Sequence, residues 1–217
     1  MRVALVPLVV WLLACRGCYQ PSIEGLIDPD GECEFSTEGS IRKSGILDVG
    51  PVETLAHGYE GVMLVQGRTG DEVTSASVAF SSNGDRLPNV TIDGEPFVFP
   101  SVEGERHSQV AGTVDSGGLA AVPFTLVTKE EAVALQALTQ AGEDLDMLIE
   151  LRAVVGGTDT TLPSFVEIRI CEMCLVGVGA ELEGSELVCP DGSAPAPVDP
   201  LPCTEGQDDI FSTCDPQ

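Results

Sequence analysis

The sequence predicts a mostly β fold, arranged as a two-sheet sandwich with one crossover helix. Short segments in which apolar and polar residues alternate recur through the middle of the 217-residue chain, and turn-forming residues divide them. A single segment with helical spacing interrupts this series. About eight short strands with one helix are typical of an immunoglobulin-like or fibronectin-like sandwich, and we expect this domain over residues 45–174.

The strand pattern occurs in eight segments, each bounded by residues that favour turns. The clearest is residues 75–80, where small polar and apolar side chains alternate as in a half-buried strand. Residues 82–85 and 115–118 are the most marked breakers. The predicted strands are 45–49, 61–66, 74–80, 89–92, 109–114, 119–127, 150–155 and 166–170.

The predicted helix is marked at both ends. Thr128 can cap its first turn, and Glu131, three residues later, completes a capping box. Gly142 stands where a helix ends in a left-handed residue. The apolar side chains between them fall on one face, which we expect to pack on the body. These are Ala134, Leu135, Leu138 and Ala141.

The first fifteen residues predict export. Arg2 precedes an unbroken apolar run over residues 3–14, and Cys15 follows. Such a run is too short for a membrane-spanning helix, which needs ~20 residues, but it fits the hydrophobic region of a secretory signal. Residues 12–15, Leu-Leu-Ala-Cys, resemble a bacterial lipobox. The resemblance implies that Cys15 is lipidated and that residues 1–14 are removed as a lipoprotein signal peptide.

The position after Cys15 carries Arg16 rather than aspartate. By the sorting habit of Gram-negative lipoproteins, this implies an anchor in the outer membrane, facing either the periplasm or the cell surface. Two or more acyl chains hold a protein stably on a membrane, whereas one holds it marginally. The alternative is an ordinary signal peptide with Cys15 as a bridging thiol. Both interpretations place the mature chain outside the cytosol.

Charge restricts the partners of the chain. Its net charge is -25, with 35 acidic and only 10 basic residues. Nucleic acid is therefore excluded as a partner, because few cations are present to neutralise phosphates. Binding to anionic lipid headgroups through a basic patch is excluded for the same reason. We expect the membrane, through the lipid anchor, and an unknown protein or surface component.

The two ends of the chain lack the pattern of the body. Residues 15–44 are rich in Gly, Pro, Ser and acids and show no sustained period, so they predict a tether that follows the lipidated cysteine. Residues 175–217 are dominated by Pro, Gly, Asp and Cys. This tail cannot bury enough apolar surface to fold by itself, so we expect disulfide bonds to hold it.

The eight cysteines flank the body, and residues 34–170 contain none. In an exported protein this distribution predicts a disulfide framework. Lipidation of Cys15 leaves an odd number of thiols, and Cys18, close to the anchor, is the candidate for the unpaired one. The candidates for disulfide bonds are Cys33, Cys171, Cys174, Cys189, Cys203 and Cys214.

Cys171 and Cys174 form a CxxC motif. If the last strand continues through Cys174, the two residues lie ~10 Å apart at ~3.3 Å per residue, beyond the ~7 Å that a disulfide spans. We therefore expect each to pair elsewhere, one with Cys33 and the other with a tail cysteine. Two alternatives remain: a zinc site that adds Cys189 and Cys203, and a redox site, which would need a helix to start at the motif.

Over most of its length, including the β-rich middle, the chain resembles a family of uncharacterised predicted lipoproteins of myxobacteria. The resemblance rests on the lipobox, a strand that ends in Cys171-x-x-Cys174-Leu175, and a cysteine-containing tail with Gly-Gln-Asp at residues 206–208. The resemblance implies a lipid-anchored location in the cell envelope and the β-rich fold, but it implies no activity. Residues 122–138 and the strand after them also resemble stress-related domains of fibronectin-like fold, the LEA/WHy type, which supports the fold only.

The sequence contains neither a GxSxG nucleophile elbow nor an HExxH motif. Its two histidines, His57 and His107, fall in loop-like polar stretches and predict exposed surface. Asp28, Asp30 and Glu32 resemble the start of a calcium loop. Because glycine at the sixth place and glutamate at the twelfth are missing, we expect at most a weak calcium contact there.

The sequence therefore predicts a lipid-anchored envelope protein that is not an enzyme, has no cofactor and acts as a binding, adhesion or structural module. The alternative is an exported thiol- or metal-dependent enzyme that uses Cys171 and Cys174.

Overall fold

The structure, a computed structural model, describes residues 20–28, 35–50, 58–139, 144–160, 163–172, 174, 175, 181–183, 186–189, 191, 193–197, 212 and 213. In this part the chain is mostly β with one helix, as the sequence predicts. The helix is α1 (Lys129–Thr139). The strands are β1 (Ser22–Ile27), β2 (Ile41–Arg42), β3 (Ser44–Asp48), β4 (Tyr59–Gln66), β5 (Glu72–Ser81), β6 (Val90–Ile92), β7 (Glu95–Phe97), β8 (Arg106–Thr113), β9 (Leu119–Val127), β10 (Leu145–Val155), β11 (Thr158–Asp159), β12 (Ser164–Cys171), β13 (Glu181–Glu183), β14 (Glu186–Val188), β15 (Ala196–Pro197) and β16 (Ser212–Thr213).

Two sheets form the sandwich. The first has the order β2-β1-β4-β9, and the second has the order β3-β12-β10-β5-β8, with β11 paired to β10. Pairing is antiparallel except between β3 and β12. In immunoglobulin nomenclature β1, β4 and β9 correspond to strands A, B and E, while β12, β10, β5 and β8 correspond to G, F, C and C′. The helix connects β9 to β10, and therefore crosses from one sheet to the other.

The core lies between the two sheets and beneath α1. Alternate residues of β10 and β12 point into it, as their sequence pattern predicts. In β12, Val166, Ile168 and Ile170 are fully buried. The first sheet contributes Met63 and Val65 of β4, and one hydrophobic cluster includes residues from both sheets and from the helix. Burial of apolar side chains therefore accounts for the cohesion of this cluster, which includes no cysteine among its described residues.

Part of the segment that the sequence predicts as a tether belongs to the sandwich. Residues 22–27 form β1, which pairs with β4, and Leu26 is fully buried. The pattern hid this strand because the register shifts between Ile23 and Gly25, so the apolar positions do not keep a period of two. A side chain at Gly25, whose φ is +153°, would lie 2.7 Å from the carbonyl oxygen of Arg42. The sandwich therefore begins before residue 45.

The start of α1 is built as predicted. The backbone N–H of Glu131 donates to Thr128 Oγ1 at 3.2 Å, and that of Thr128 donates to Glu131 Oε2 at 2.8 Å. The buried Glu131 also pairs with Arg106, whose Nε lies 2.9 Å from Oε1. Arg106 in turn donates to the carbonyl oxygens of Thr125 and Leu126 at 3.0 and 2.8 Å. The predicted helix-ending Gly142 lies outside the described residues.

Several strands begin earlier than their patterns indicate, and the difference in β8 bears on the position of His107. The pattern predicts a strand over residues 109–114, but β8 begins at Arg106 and includes His107. Its first three residues are all polar, so they show no alternation that would reveal a strand. This correction matters because it places His107 on a sheet rather than in a loop, with 67% of its side chain exposed.

Candidate functional site

The two cysteines of the CxxC motif form a disulfide bond with each other. Cys171 is the last residue of β12, and a disulfide bond joins it to Cys174 with a Cα–Cα distance of 5.9 Å. The expectation that the two cysteines pair elsewhere is therefore wrong. Because the strand ends at Cys171 and the chain turns at Cys174, the separation falls within the range that a disulfide spans. The more general expectation of a disulfide bond in this region is confirmed.

A buried carboxylate fixes the turn that follows β12. Asp48, at the end of β3, is 2% exposed. Its Oδ1 accepts a hydrogen bond from Gly50 N at 2.8 Å, and its Oδ2 accepts one from Leu175 N at 2.9 Å. The N–H of Val49 donates to the carbonyl of Cys171 at 2.9 Å. Hydrogen bonds therefore fasten the turn to β3 on both sides of the disulfide.

Cys189 is also disulfide-bonded and is 6% exposed. Its backbone N–H donates to the carbonyl of Ser193 at 2.8 Å. The other cysteine predictions, lipidation included, lie outside the described residues, so these predictions stand as they were made. They concern Cys15, Cys18, Cys33, Cys203 and Cys214.

The weak calcium candidate is described only at Asp28, because Asp30 and Glu32 lie outside the described residues. Asp28 Oδ1 lies 3.0 Å from Arg42 Nε, so this carboxylate is paired with a cation of the same sheet. Within the described ranges, no group of three or more His, Cys, Asp or Glu side chains is arranged to hold a metal ion.

A polar groove of about 420 Å³ lies on the outward face of the second sheet. Its floor is formed by Ser75 and Ser77 of β5. Register places Arg152 of β10 on one side of Ser77 and His107 of β8 on the other. Because neighbouring strands lie ~4.8 Å apart, the two walls are ~10 Å apart at the backbone. Small floor residues between long wall residues produce the depression.

Each basic side chain of the groove lies beside an acid. Ser77 Oγ donates to Glu105 Oε2 at 2.9 Å, and His107 Nε2 lies 3.3 Å from Glu105 Oε1. On the opposite wall, Arg152 Nε and Nη2 both donate to Glu150 Oε1, at 2.9 and 2.7 Å. The groove therefore presents hydrogen-bond donors and acceptors on both walls, which suits a polar ligand.

Ser77, Glu105 and His107 are residue types found in hydrolase triads, but their connections differ. In a triad the nucleophile donates to a histidine that a carboxylate orients. Here the carboxylate lies between the serine and the imidazole, and the serine is 5% exposed. The arrangement therefore lacks the base contact that would activate the hydroxyl.

No pattern in the sequence indicates this cluster. Ser77 and His107 are thirty positions apart and meet only because β5 pairs with β8. Glu105 reaches them from the loop that precedes β8. Alternation predicted that Ser77 lies on one face of a strand, but no pattern within a single strand specifies which side chains face it from its neighbours.

No described helix is long and apolar enough to cross a membrane. No protein-family model matches this sequence, and no curated protein is similar to it.

Proposed function

We propose that the chain is a lipid-anchored protein of the cell envelope that acts as a non-catalytic binding module, and that the polar groove on its second sheet contacts the partner. The observation that carries the proposal is the groove itself, with donors and acceptors on both walls and an open face. The partner would be a protein or another component of the envelope surface.

Support for the anchor comes from the sequence at residues 1–15. The position of β1 adds a constraint on geometry. Ser22 follows Cys15 by seven residues, which span at most ~25 Å when extended. A sandwich anchored at Cys15 would therefore lie close to the bilayer, and its partner would be a component within reach of the membrane surface.

Support for a binding role rather than catalysis comes from the bonding in the groove. The serine hydroxyl donates to Glu105 and has no contact with the imidazole of His107 that would make it a nucleophile. Arg152 is held by Glu150, so its guanidinium has a fixed direction. Fixed polar groups at an open surface give specificity in binding, because a partner must match their positions.

The binding face can be tested with a photoreactive amino acid in the intact envelope. Positions Val102 and His107, both 67% exposed, place the probe at the groove. The matched control is Glu60, which is exposed on the first sheet. We expect one discrete cross-linked product from the groove positions, reduced at least about tenfold by Arg152→Ala, and no product from residue 60. Equal products from both faces, or none at the groove, would contradict the proposal.

The anchor has a separate test. Cys15→Ala should release the protein from the membrane fraction, because the thiol that accepts the lipid is lost. Cys18→Ala is the matched control and should remain with membranes. A Cys15→Ala protein that still partitions with membranes would argue against lipidation while leaving the binding face untouched.

An alternative function, hydrolysis through Ser77, is favoured only by the proximity of Glu105 and His107. A fluorophosphonate probe distinguishes it, since such probes label activated serines. We expect no label on Ser77, and stoichiometric labelling that His107→Ala abolishes would replace the binding proposal with a hydrolase.

A further inference from the structure

We propose that the Cys171–Cys174 disulfide is a site of thiol–disulfide exchange with an exported dithiol, and that the dithiol attacks the sulfur of Cys174. This inference is independent of the proposed binding role. It rests on the exposure of the two sulfur-bearing residues and on the hydrogen bonds that hold the turn around them.

The two cysteines differ in exposure. Cys171 is 1% exposed at the end of β12, whereas Cys174 is exposed in the turn. A thiolate must reach the sulfur that it attacks, so access decides which sulfur reacts. Only Cys174 offers that access. Cys189, also disulfide-bonded, is 6% exposed and therefore shielded by comparison.

The reaction balances with a dithiol as the reductant. Its thiolate attacks the Cys174 sulfur, the bond between the two cysteine sulfurs breaks, and Cys171 leaves with the electron pair and takes up a proton. The second thiol of the reductant then attacks the reductant's first sulfur, which is bonded to Cys174 in the mixed disulfide, and Cys174 is released as a thiol. The reductant becomes a disulfide, and two electrons and two protons have moved to this chain.

The reduced state has a place for the buried thiol. Cys171 Sγ lies 3.6 Å from the carbonyl oxygen of Leu47, within reach of a sulfhydryl hydrogen bond. A reduced Cys171 can therefore donate to an acceptor that is already in position. Burial of this group as a neutral thiol is compatible with the surrounding apolar core.

The turn does not depend on the disulfide alone. Asp48 accepts a hydrogen bond from Leu175 N, and Val49 N donates one to the Cys171 carbonyl. The chain on each side of the disulfide therefore remains bonded to the end of β3 when the sulfurs separate. The disulfide also closes a very short loop, so it restricts the unfolded chain less than a bridge across a long loop would. Exchange can therefore proceed in the folded protein, as a repeated chemical step requires.

The test compares two single variants of the mature full-length chain. Cys171→Ser leaves Cys174 as an exposed thiol, and Cys174→Ser leaves Cys171 as a buried one. Ellman's reagent, with the reacting residue identified by peptide mass spectrometry, should modify Cys174 on the order of 100-fold faster than Cys171 in native buffer. The difference should vanish in denaturant. Equal native rates would overturn the proposal.

The unaltered protein gives a second readout that needs no variant to fold. Under native conditions, limiting dithiothreitol followed by alkylation should free Cys171 and Cys174 before Cys189. Glutathione should form its mixed disulfide on Cys174. A mixed disulfide on Cys171 would contradict the assigned site of attack, and reduction of the Cys189 bond first would contradict the Cys171–Cys174 bond as the preferred target.

Discussion

The body of the sandwich and the segment that follows it are held by different interactions. Between β1 and β12 the described strands are held by buried side chains such as Ile149 and Ile168, both fully inaccessible to solvent. After β12 the described chain is fixed by a disulfide, by a buried carboxylate and by short strand pairs such as β13–β14 and β15–β16. Beyond the last segment with apolar periodicity, the described chain is stabilised by covalent and polar contacts, because short segments bury too little apolar surface to fold by burial alone.

The largest expected loss of stability comes from a substitution that creates a cavity in the core. Leu151 of β10 is fully buried, and Leu151→Ala should lower the free energy of unfolding by about 2–5 kcal/mol. Its control is Phe165→Ala on the adjacent strand, where the ring is 44% exposed, with a loss below about 1 kcal/mol. Urea unfolding followed by far-ultraviolet circular dichroism measures both. Similar losses for the two would mean that apolar burial does not dominate the body.

A second change removes a buried polar contact of the body. Glu131→Ala deletes one side of the capping box and leaves Arg106 without its carboxylate. Because the side chain of Arg106 is 21% exposed and water can reach it, we expect a loss of about 2–3 kcal/mol in unfolding free energy. Glu130→Ala, at the exposed neighbouring position, should cost less than about 1 kcal/mol. Equal costs would show that the buried pair contributes nothing.

Removal of the disulfide should have a smaller effect. The double variant Cys171→Ala with Cys174→Ala opens a four-residue loop, for which the chain-entropy relation gives about 2 kcal/mol. We expect the thermal midpoint to fall while the native circular dichroism spectrum is unchanged. The reason is that the strands are held by the apolar cluster between the sheets, which includes neither cysteine. A loss of native β structure in the folded baseline would mean that the body depends on this cross-link, and the contrast between the two regions would fail.

The smallest effect concerns the segment beyond the body. The hydroxyl of Ser193 donates to Asp191 Oδ1 at 2.7 Å, and this bond, with that of the Ser193 N–H, lowers the pKa of the Asp191 carboxyl. A carboxyl whose pKa is lowered on folding stabilises the folded state at pH values above its pKa in the unfolded chain. This contribution disappears as the pH falls through the pKa of the folded state. Ser193→Ala should raise the pKa of Asp191 in an NMR titration, whereas Ser75→Ala should leave it unchanged. An unchanged value in Ser193→Ala would exclude the hydroxyl as the cause.

Most of the fold could be predicted from the sequence, and the failures have identifiable causes. Alternation located β5, β10 and β12, because each buries one face completely. It missed β1, where the shift at Gly25 breaks the period. It also continued the strand past Cys171, because no residue within the CxxC motif marks the turn, and the disulfide partner was predicted wrongly as a result.

The candidate site could be predicted far less well than the fold. Ser77, Glu105 and His107 become neighbours through strand pairing and a loop, which are properties of the whole sheet. Likewise, Asp48 and Leu175 are separated by most of the chain and meet because β3 pairs with β12. Sequence patterns report the environment of a residue along its own strand. They do not specify contacts between strands unless register is known.

The central claim is that residues 1–15 export the chain, so that its cysteines are lipidated or oxidised. Mass spectrometry of the mature protein, extracted from membranes and digested without reduction, tests it most directly. We predict an N-terminal peptide that begins at Cys15 with attached acyl chains, together with a peptide in which Cys171 and Cys174 are linked. A full-length product that retains its leader, with every sulfhydryl free to react, would contradict the claim.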